Sequence, residues 1–331
     1  MKLEKDKVYQ IIQKQLQNVP LLLIGTGGTM PYGISGMSVL AKELISGLSS
    51  KYSKDAAWKE FSSRLAKGID LENALSGLQL SSDISRDIVD ITWNLVSRDD
   101  INLMHDWIGR DKRPELGEVV NRFYKVNPQC VNIITTNYDR VIEYSCDQFK
   151  LPVNTFFAGE YFKHYVEMDV PSRRKVNLLK VHGSLDWFYR DSSQVVSLPL
   201  QEKIPDGFRP AIVTPGVEKY ERVLKSPFRD MLHIADELIS KATGYLCIGY
   251  GFNDNQIQEN IIGEIRAGKP IAIWTKGLSK NALELIRTAS KCFIVVEADE
   301  DDESKTRVIF PDSETILNEK IWDMNGLLQV I

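Results

Sequence analysis

No apolar run in this sequence is long enough to cross a bilayer. The stretch Val19-Pro20-Leu21-Leu22-Leu23-Ile24 falls far short of the roughly 20 residues that a spanning helix needs. The start, Met1-Lys2-Leu3-Glu4-Lys5-Asp6-Lys7, mixes charges of both signs and carries no secretory pattern, so we expect a cytoplasmic protein without a membrane partner. Cysteine is scarce: Cys130, Cys146, Cys247 and Cys292 are scattered and form no C-x-x-C pair, which speaks against a zinc ribbon and a disulfide framework. His105, His164 and His233 lack partners at metal-ligand spacing, so no metal is expected. Positive charge is not in excess either: 41 Lys and Arg stand against 45 Asp and Glu, for a net charge of -4. Such a chain offers no field to hold a polyphosphate backbone, and nucleic acid is not an expected partner. Arg173-Arg174-Lys175 stands alone without interleaved aromatics and reads as a surface loop.

What is present is a globular balance, 43% hydrophobic and 26% charged over 331 residues. Short apolar runs at 20–25, 130–135, 153–157, 177–181, 211–214, 245–249, 271–274 and 293–296 read as strands. Most are continuous rather than alternating, as befits parallel strands covered on both faces, and helical stretches separate them. The fold class is therefore α/β, a Rossmann-like parallel sheet flanked by helices. We read residues 1–331 as one unit, with an all-helical insertion at about 53–125 in which Ile84, Ile88, Ile91, Leu95, Leu103 and Trp107 recur at helical spacing. A second interruption at about 186–210, holding Ser192-Ser193, Pro199 and Pro205-Asp206-Gly207, reads as loops with a small hairpin. The acidic run 297–303 reads as a solvated turn after the last strand of the sheet. Trp58, Trp107 and Trp322 suit either a core or an oligomer interface.

Four strand ends carry the chemistry. The first strand runs into Gly25-Thr26-Gly27-Gly28-Thr29, a position where backbone N–H groups approach a pyrophosphate, or where the chain merely reverses. The dinucleotide fingerprint G-x-G-x-x-G fails at Met30, and no acidic residue follows at the ribose position, which disfavours a dehydrogenase. Gly36-Met37-Ser38-Val39-Leu40, with Leu44 and Leu48, opens an amphipathic helix whose N-terminus favours an anion. Thr135-Thr136-Asn137-Tyr138-Asp139 leaves a buried strand where ligands bind in open α/β sheets, although Asn137 or Asp139 also suits a helix N-cap. His182-Gly183-Ser184 repeats that geometry, and a lone His there is structural unless it shares a site with Asn137. Gly249-Tyr250-Gly251-Phe252-Asn253-Asp254 is a second glycine turn. Together these ends imply a nucleotide lying across the sheet edge.

In this order the four features resemble the sirtuin-like superfamily, in the zinc-free branch of NAD hydrolases associated with bacterial antiphage defence. Gly25 to Thr29 is similar to that family's G-A-G-x-S loop, with Thr26 for alanine and Thr29 for serine. Gly33-Ile34-Ser35-Gly36-Met37 resembles its G-I-P-S-M stretch, and Thr136-Asn137-Tyr138-Asp139 its T-N-Y-D segment, which answers the Q-N-I-D of protein deacylases. His182-Gly183-Ser184 matches H-G-S, and Gly249 to Asp254 resembles G-Y-S-F-x-D, with Gly251 for serine.

The resemblance implies that NAD binds as substrate, with its pyrophosphate on Gly25, Thr26, Gly27, Gly28 and Thr29, and that Gly33, Thr136, Gly183 and Ser184 belong to the binding site. It puts Gly249, Gly251 and Asp254 near the adenosine half. Asn137 contacts the nicotinamide ribose or orients a water, and His182 acts on a ribose hydroxyl or as general base. Asp139 stabilises charge on the ribose or caps the next helix. Deacylation is disfavoured because the structural zinc site of deacylases has no counterpart in this sequence, which leaves hydrolysis of NAD to nicotinamide and ADP-ribose. The resemblance further implies restraint by homo-oligomerisation or by a ring-forming translocase-type ATPase. The sequence admits two other readings. Thr26-Gly27-Gly28-Thr29 also resembles the threonine loop of asparaginases, but Leu185 stands where the H-G-T-D-T element of that family has its aspartate. A non-enzymatic NAD or ADP-ribose sensor would keep the glycine loops, and the joint presence of Asn137 and His182 favours the enzyme.

Overall fold

Alternate side chains of each central strand enter opposite cores. Leu22, Ile24, Ile133, Leu178, Leu246, Ile248, Ala272 and Trp274 join one buried cluster, while Leu21, Leu23, Ile134, Leu179, Cys247, Ile271 and Ile273 join another. A strand that must satisfy both faces has no polar position to spare, which is why these runs are continuous in the sequence. The computed structural model describes residues 4–110, 113–167, 169–190, 194–214 and 225–331. Residues 1–3 and the Ser192-Ser193 pair of the expected loop region lie outside them.

In chain order the strands are β1 (Leu21–Ile24), β2 (Cys130–Thr135), β3 (Val153–Asn154), β4 (Phe157–Ala158), β5 (Lys163–Tyr165), β6 (Lys175–Lys180) and β7 (Gly183–Tyr189). They continue with β8 (Val195–Ser197), β9 (Arg209–Ile212), β10 (Tyr245–Ile248), β11 (Ile271–Trp274), β12 (Phe293–Ala298), β13 (Thr306–Ile309) and β14 (Glu314–Leu317). The main sheet has the order β14-β13-β12-β11-β10-β1-β2-β6-β3, parallel from β12 to β3. This is the Rossmann-like α/β arrangement that the apolar runs indicate, with β1 at its centre.

Three assignments are corrected. The strand expected at 211–214 belongs to a separate antiparallel sheet, β4-β5-β8-β7-β9, and the one expected at 153–157 divides between the two sheets. The small hairpin expected among the loops at 186–210 is present as β7 paired antiparallel with β8, and it belongs to that second sheet. Asp186 masks β7 in the sequence: it is a carboxylate in mid-strand, and inside the sheet it accepts hydrogen bonds from Ser184 and from Ser197 at 2.5 Å. The acidic run does not follow the last strand, because β13 and β14 pair antiparallel beyond β12. Glu297, its first residue, is 5% exposed, accepts from the Leu278 N–H at 2.9 Å, and lies 3.4 Å from Arg307.

Residues 53–125 hold the helices Ala56–Ala66, Leu71–Leu75, Ser82–Arg110 and Glu115–Tyr124. The first three build a third core with helix Met37–Leu48, through Leu40, Leu44, Trp58, Phe61, Ile84 and Ile88. The 29-residue helix Ser82–Arg110 leaves that core and joins the sheet's, where Trp93 Nε1 donates to the Leu185 carbonyl at 2.9 Å. Trp58 and Trp107 are both 1% exposed and so are core residues; Trp322 packs at the edge of the main core. Among the described residues no helix is long and apolar enough to cross a membrane.

Candidate functional site

Since β10, β1, β2 and β6 are parallel neighbours, their carboxyl ends share one edge, and the residues just beyond them converge there. The chain proceeds from β1 to β2 on one side and returns to β10 on the other, and the crevice at such a reversal is where open α/β sheets bind ligands. A cavity of about 300 Å³ fills it. Its wall includes Gly25, Thr26, Thr136, Asn137, Asp139, His182, Gly249, Gly251 and Asp254 from the strand ends. The opposite wall is helical: Asp70 and Leu71 open one short helix, and Thr92 and Val96 lie on helix Ser82–Arg110.

Two glycine turns meet backbone to backbone beneath the cavity. Gly249 has φ 57°, and a Cβ there would stand 2.1 Å from the Gly28 nitrogen. The Gly27 N–H donates to the Gly249 carbonyl at 3.0 Å, and the Gly25 N–H to the Ile248 carbonyl at 3.0 Å. Only glycine permits this approach. Gly25 and Thr26 face the cavity, while Gly27, Gly28, Thr29 and Gly33 are not part of its wall. The N-terminus of helix Met37–Leu48 does reach it: Gly36 and Met37 line the cavity, and that first turn has no side-chain cap. Uncapped N–H groups and the helix dipole suit an anion.

Asn137 is held at both ends of its amide. Its Oδ1 accepts from the Thr26 hydroxyl at 3.4 Å and its Nδ2 donates to Thr29 Oγ1 at 3.1 Å. Thr29 in turn donates to Asp139 Oδ2 at 3.0 Å, and the other oxygen of Asp139 accepts from the Val141 N–H at 3.2 Å, at the start of helix Val141–Gln148. Asp139 thus lines the cavity with the same carboxyl that holds a helix start. Burial pushes it up to about 6, against the opposing pull of the Lys180 ammonium. Lys180, 1% exposed, donates to the carbonyls of Asp139 at 2.5 Å and Tyr138 at 3.3 Å and to Glu143 Oε1 at 2.8 Å, pinning the loop from below. From the side, Arg140 forms a buried ion pair with Asp100 of helix Ser82–Arg110 at 2.6 Å, and Asp100 also accepts from the Arg140 N–H and the Tyr144 hydroxyl.

His182 Nε2 lies 2.7 Å from Asp254 Oδ2, so two of the expected site residues meet. Oδ1 of Asp254 caps helix Asn255–Arg266, accepting from the N–H groups of Gln256 at 3.0 Å and Ile257 at 3.3 Å. Gly183 and Ser184 open β7 and lie outside the cavity wall: Gly183, with φ 85°, pairs with Ile212, and Ser184 donates to Asp186. The wall residues that sequence reasoning missed are chiefly Asp70, Leu71, Thr92 and Val96. Helical periodicity marks Leu71 and Val96 only as apolar, and nothing in their spacing shows that the insertion folds back over the sheet edge. Among the described residues no group of three or more His, Cys, Asp or Glu is gathered as a metal site would be.

A family model described as a SIR2-like domain matches residues 131–307. No curated protein matches the sequence. Among solved structures the chain is similar to a sirtuin from work on the structural basis of sirtuin substrate affinity, at 13% identity and TM-score 0.46, covering 88% of this chain and 93% of that one. It is also similar to Sir2Tm bound to a propionylated peptide, at 13% identity and TM-score 0.45, and to Sir2 with a p53 peptide and NAD+, at 13% identity and TM-score 0.43. Each of these two alignments covers 88% of this chain and 92% of the other.

Proposed function

The chain belongs to the SIR2-like domain family, and from that premise we propose that it is an NAD glycohydrolase, cleaving NAD with water to nicotinamide and ADP-ribose. The observation that carries the reading is the meeting of Asn137 and His182 in one cavity at the carboxyl edge of the sheet, beside a glycine turn and an uncapped helix N-terminus.

In this reading the pyrophosphate lies against Gly25, Thr26 and the first turn of helix Met37–Leu48, whose N–H groups and dipole offset its charge. The nicotinamide ribose then reaches Asn137 and His182. The glycosidic C–N bond breaks with its electron pair going to the pyridinium nitrogen, so nicotinamide departs as a neutral molecule and needs no acid. The ribose carries the developing positive charge, and water attacks its anomeric carbon. His182 takes the proton of that water, or of a ribose hydroxyl, while the Asn137 amide, held by Thr26 and Thr29, orients the reacting oxygen. Asp139 supplies negative charge behind Thr29 when ionised. The family resemblance extends the proposal to a cytoplasmic antiphage role through NAD depletion, restrained by a homo-oligomer or by a ring-forming translocase-type ATPase.

The test is to incubate the purified protein with NAD, alone and with the candidate ATPase, and to follow nicotinamide and ADP-ribose by chromatography. The expected result is formation of both products in equal amounts, abolished by Asn137→Ala and by His182→Ala with nucleotide binding retained. Tight NAD or ADP-ribose binding with no product under either condition would overturn the hydrolase in favour of a sensor.

A further inference from the structure

His182 and Asp254 come from opposite sides of the cavity. His182 follows β6 and Asp254 follows β10, with β2 and β1 between them in the sheet. Their side chains nevertheless meet across it, at 2.7 Å between Nε2 and Oδ2. Both are nearly enclosed, each 8% exposed. Two lone pairs repel at that separation, so a proton must lie between them. Nε2 is buried and, although 2.7 Å from the carboxylate oxygen, makes no hydrogen bond of ordinary geometry with it in the resting chain. Catalytic hydrogen bonds are often misaligned before substrate binds and tighten in the complex. The carboxylate is not free to follow some other partner, because its Oδ1 is fixed by the N–H groups of Gln256 and Ile257 at the start of a 12-residue helix.

We propose that Asp254 is a positioning residue for His182: Oδ2 keeps the imidazole proton on Nε2 and leaves Nδ1 as the nitrogen that accepts the proton in the reaction. The inference deepens the hydrolase reading and rests on it for its catalytic consequence. Its structural half stands apart, since it concerns the tautomer of His182 in the resting protein. Asp254 is thereby a helix cap on one oxygen and a tautomer lock on the other. The division of labour matches what an acid–base histidine requires, an orienting carboxylate on one ring nitrogen and a free lone pair on the other.

Asp254→Asn separates the two tasks. Asparagine caps helices as well as aspartate does, so its oxygen retains the bonds to Gln256 and Ile257 and the fold survives. Its NH₂ then faces Nε2, where it presents a donor in place of an acceptor and drives the imidazole to the Nδ1–H form. The experiment uses the full-length chain labelled with 15N at its four histidines, with His182 assigned by its disappearance in His182→Gln. In the parent we expect ring shifts of the Nε2–H tautomer, and in Asp254→Asn those of the Nδ1–H tautomer, with an unchanged melting temperature. NAD turnover should fall about 100-fold or more in kcat with KM within about threefold, as when a tautomer-fixing carboxylate is made an amide. An Nδ1–H signature in the parent, or an unaltered signature in Asp254→Asn, overturns the lock. If the parent hydrolyses no NAD with or without its partner, the hydrolase reading fails while the ring shifts still decide the pairing. If the tautomer changes and kcat does not, the catalytic half of the proposal is overturned.

Discussion

Asn137 and Thr29 are joined by a 3.1 Å hydrogen bond from the amide Nδ2 to the hydroxyl oxygen, and the same hydroxyl donates a hydrogen bond to Asp139 Oδ2 at 3.0 Å. A residue of the first glycine turn therefore sets the orientation of an amide more than a hundred residues away and shields the carboxyl behind it. Thr29 is wholly buried, so water does not replace it.

Thr29→Val keeps the shape and removes the hydroxyl. The Asn137 amide and the Asp139 carboxyl each lose a buried partner, which should cost about 1–3 kcal/mol in chemical denaturation. NAD turnover should fall at least about tenfold with it, and Thr29→Ser should restore both. A Val variant equal to the parent in stability and turnover would show that the amide is oriented by something else.

Asp139 makes stability depend on acidity. Its carboxyl is raised to about 6 from an ordinary value of 3.8, so the folded chain holds this proton more tightly than the unfolded chain does. Its contribution is fully present below about pH 4 and is lost as pH climbs through 6, amounting to on the order of 3 kcal/mol. Denaturant midpoints of the parent and Asp139→Asn from about pH 4 to about pH 7 should show the variant gaining on the parent as pH rises. Parallel curves would mean that the carboxyl titrates at its ordinary value.

Gly249 and Gly251 look equivalent in the sequence and are not. At Gly249 the backbone is left-handed and a Cβ would meet the Gly28 nitrogen; at Gly251 the nearest atom is Asn253 Nδ2, at 3.3 Å. Gly249→Ala should cost about 3 kcal/mol or more, against about 1 kcal/mol or less for Gly251→Ala, read as melting temperatures. Equal losses would refute the backbone contact between the two turns.

Asp100 tests how the long helix supports the site. Asp100→Ala leaves the Arg140 guanidinium buried beside an empty place and should destabilise the chain by about 3–5 kcal/mol. A loss of less than about 1 kcal/mol would mean that water reaches the guanidinium.

The strand ends of the site were legible because each lies where a continuous apolar run stops, as Thr135 gives way to Asn137 and Val181 to His182. Continuous runs belong to strands covered on both faces, and the six neighbours from β12 to β6 at the sheet's centre are of that kind. The second sheet was hidden for the opposite reason. Ser184, Asp186 and Ser197 satisfy one another within it, and a polar group with an internal partner leaves no trace of burial in the sequence. Asp254 announced its place at a strand end but not its contact with His182, because that contact depends on how far the loops after β6 and β10 reach across the two strands between them. The helical wall was legible as helix and illegible as wall, since the docking of Thr92 and Val96 over the cavity rests on long-range contacts such as that of Trp93 with the Leu185 carbonyl.

The central position of β1 has a consequence for the order in which the molecule is made. β1 leaves the ribosome before β2, pairs with it once residues 130–135 follow, and has its other edge bare until residues 245–248 arrive. Closing the sheet is therefore a late event with a long loop to gather in, slow relative to the helices that form locally in between. The turns carrying Gly25 and Gly249 cannot interlock before it, nor can His182 meet Asp254. The parts of the candidate site are thus brought together by topology only once β10 has joined the sheet.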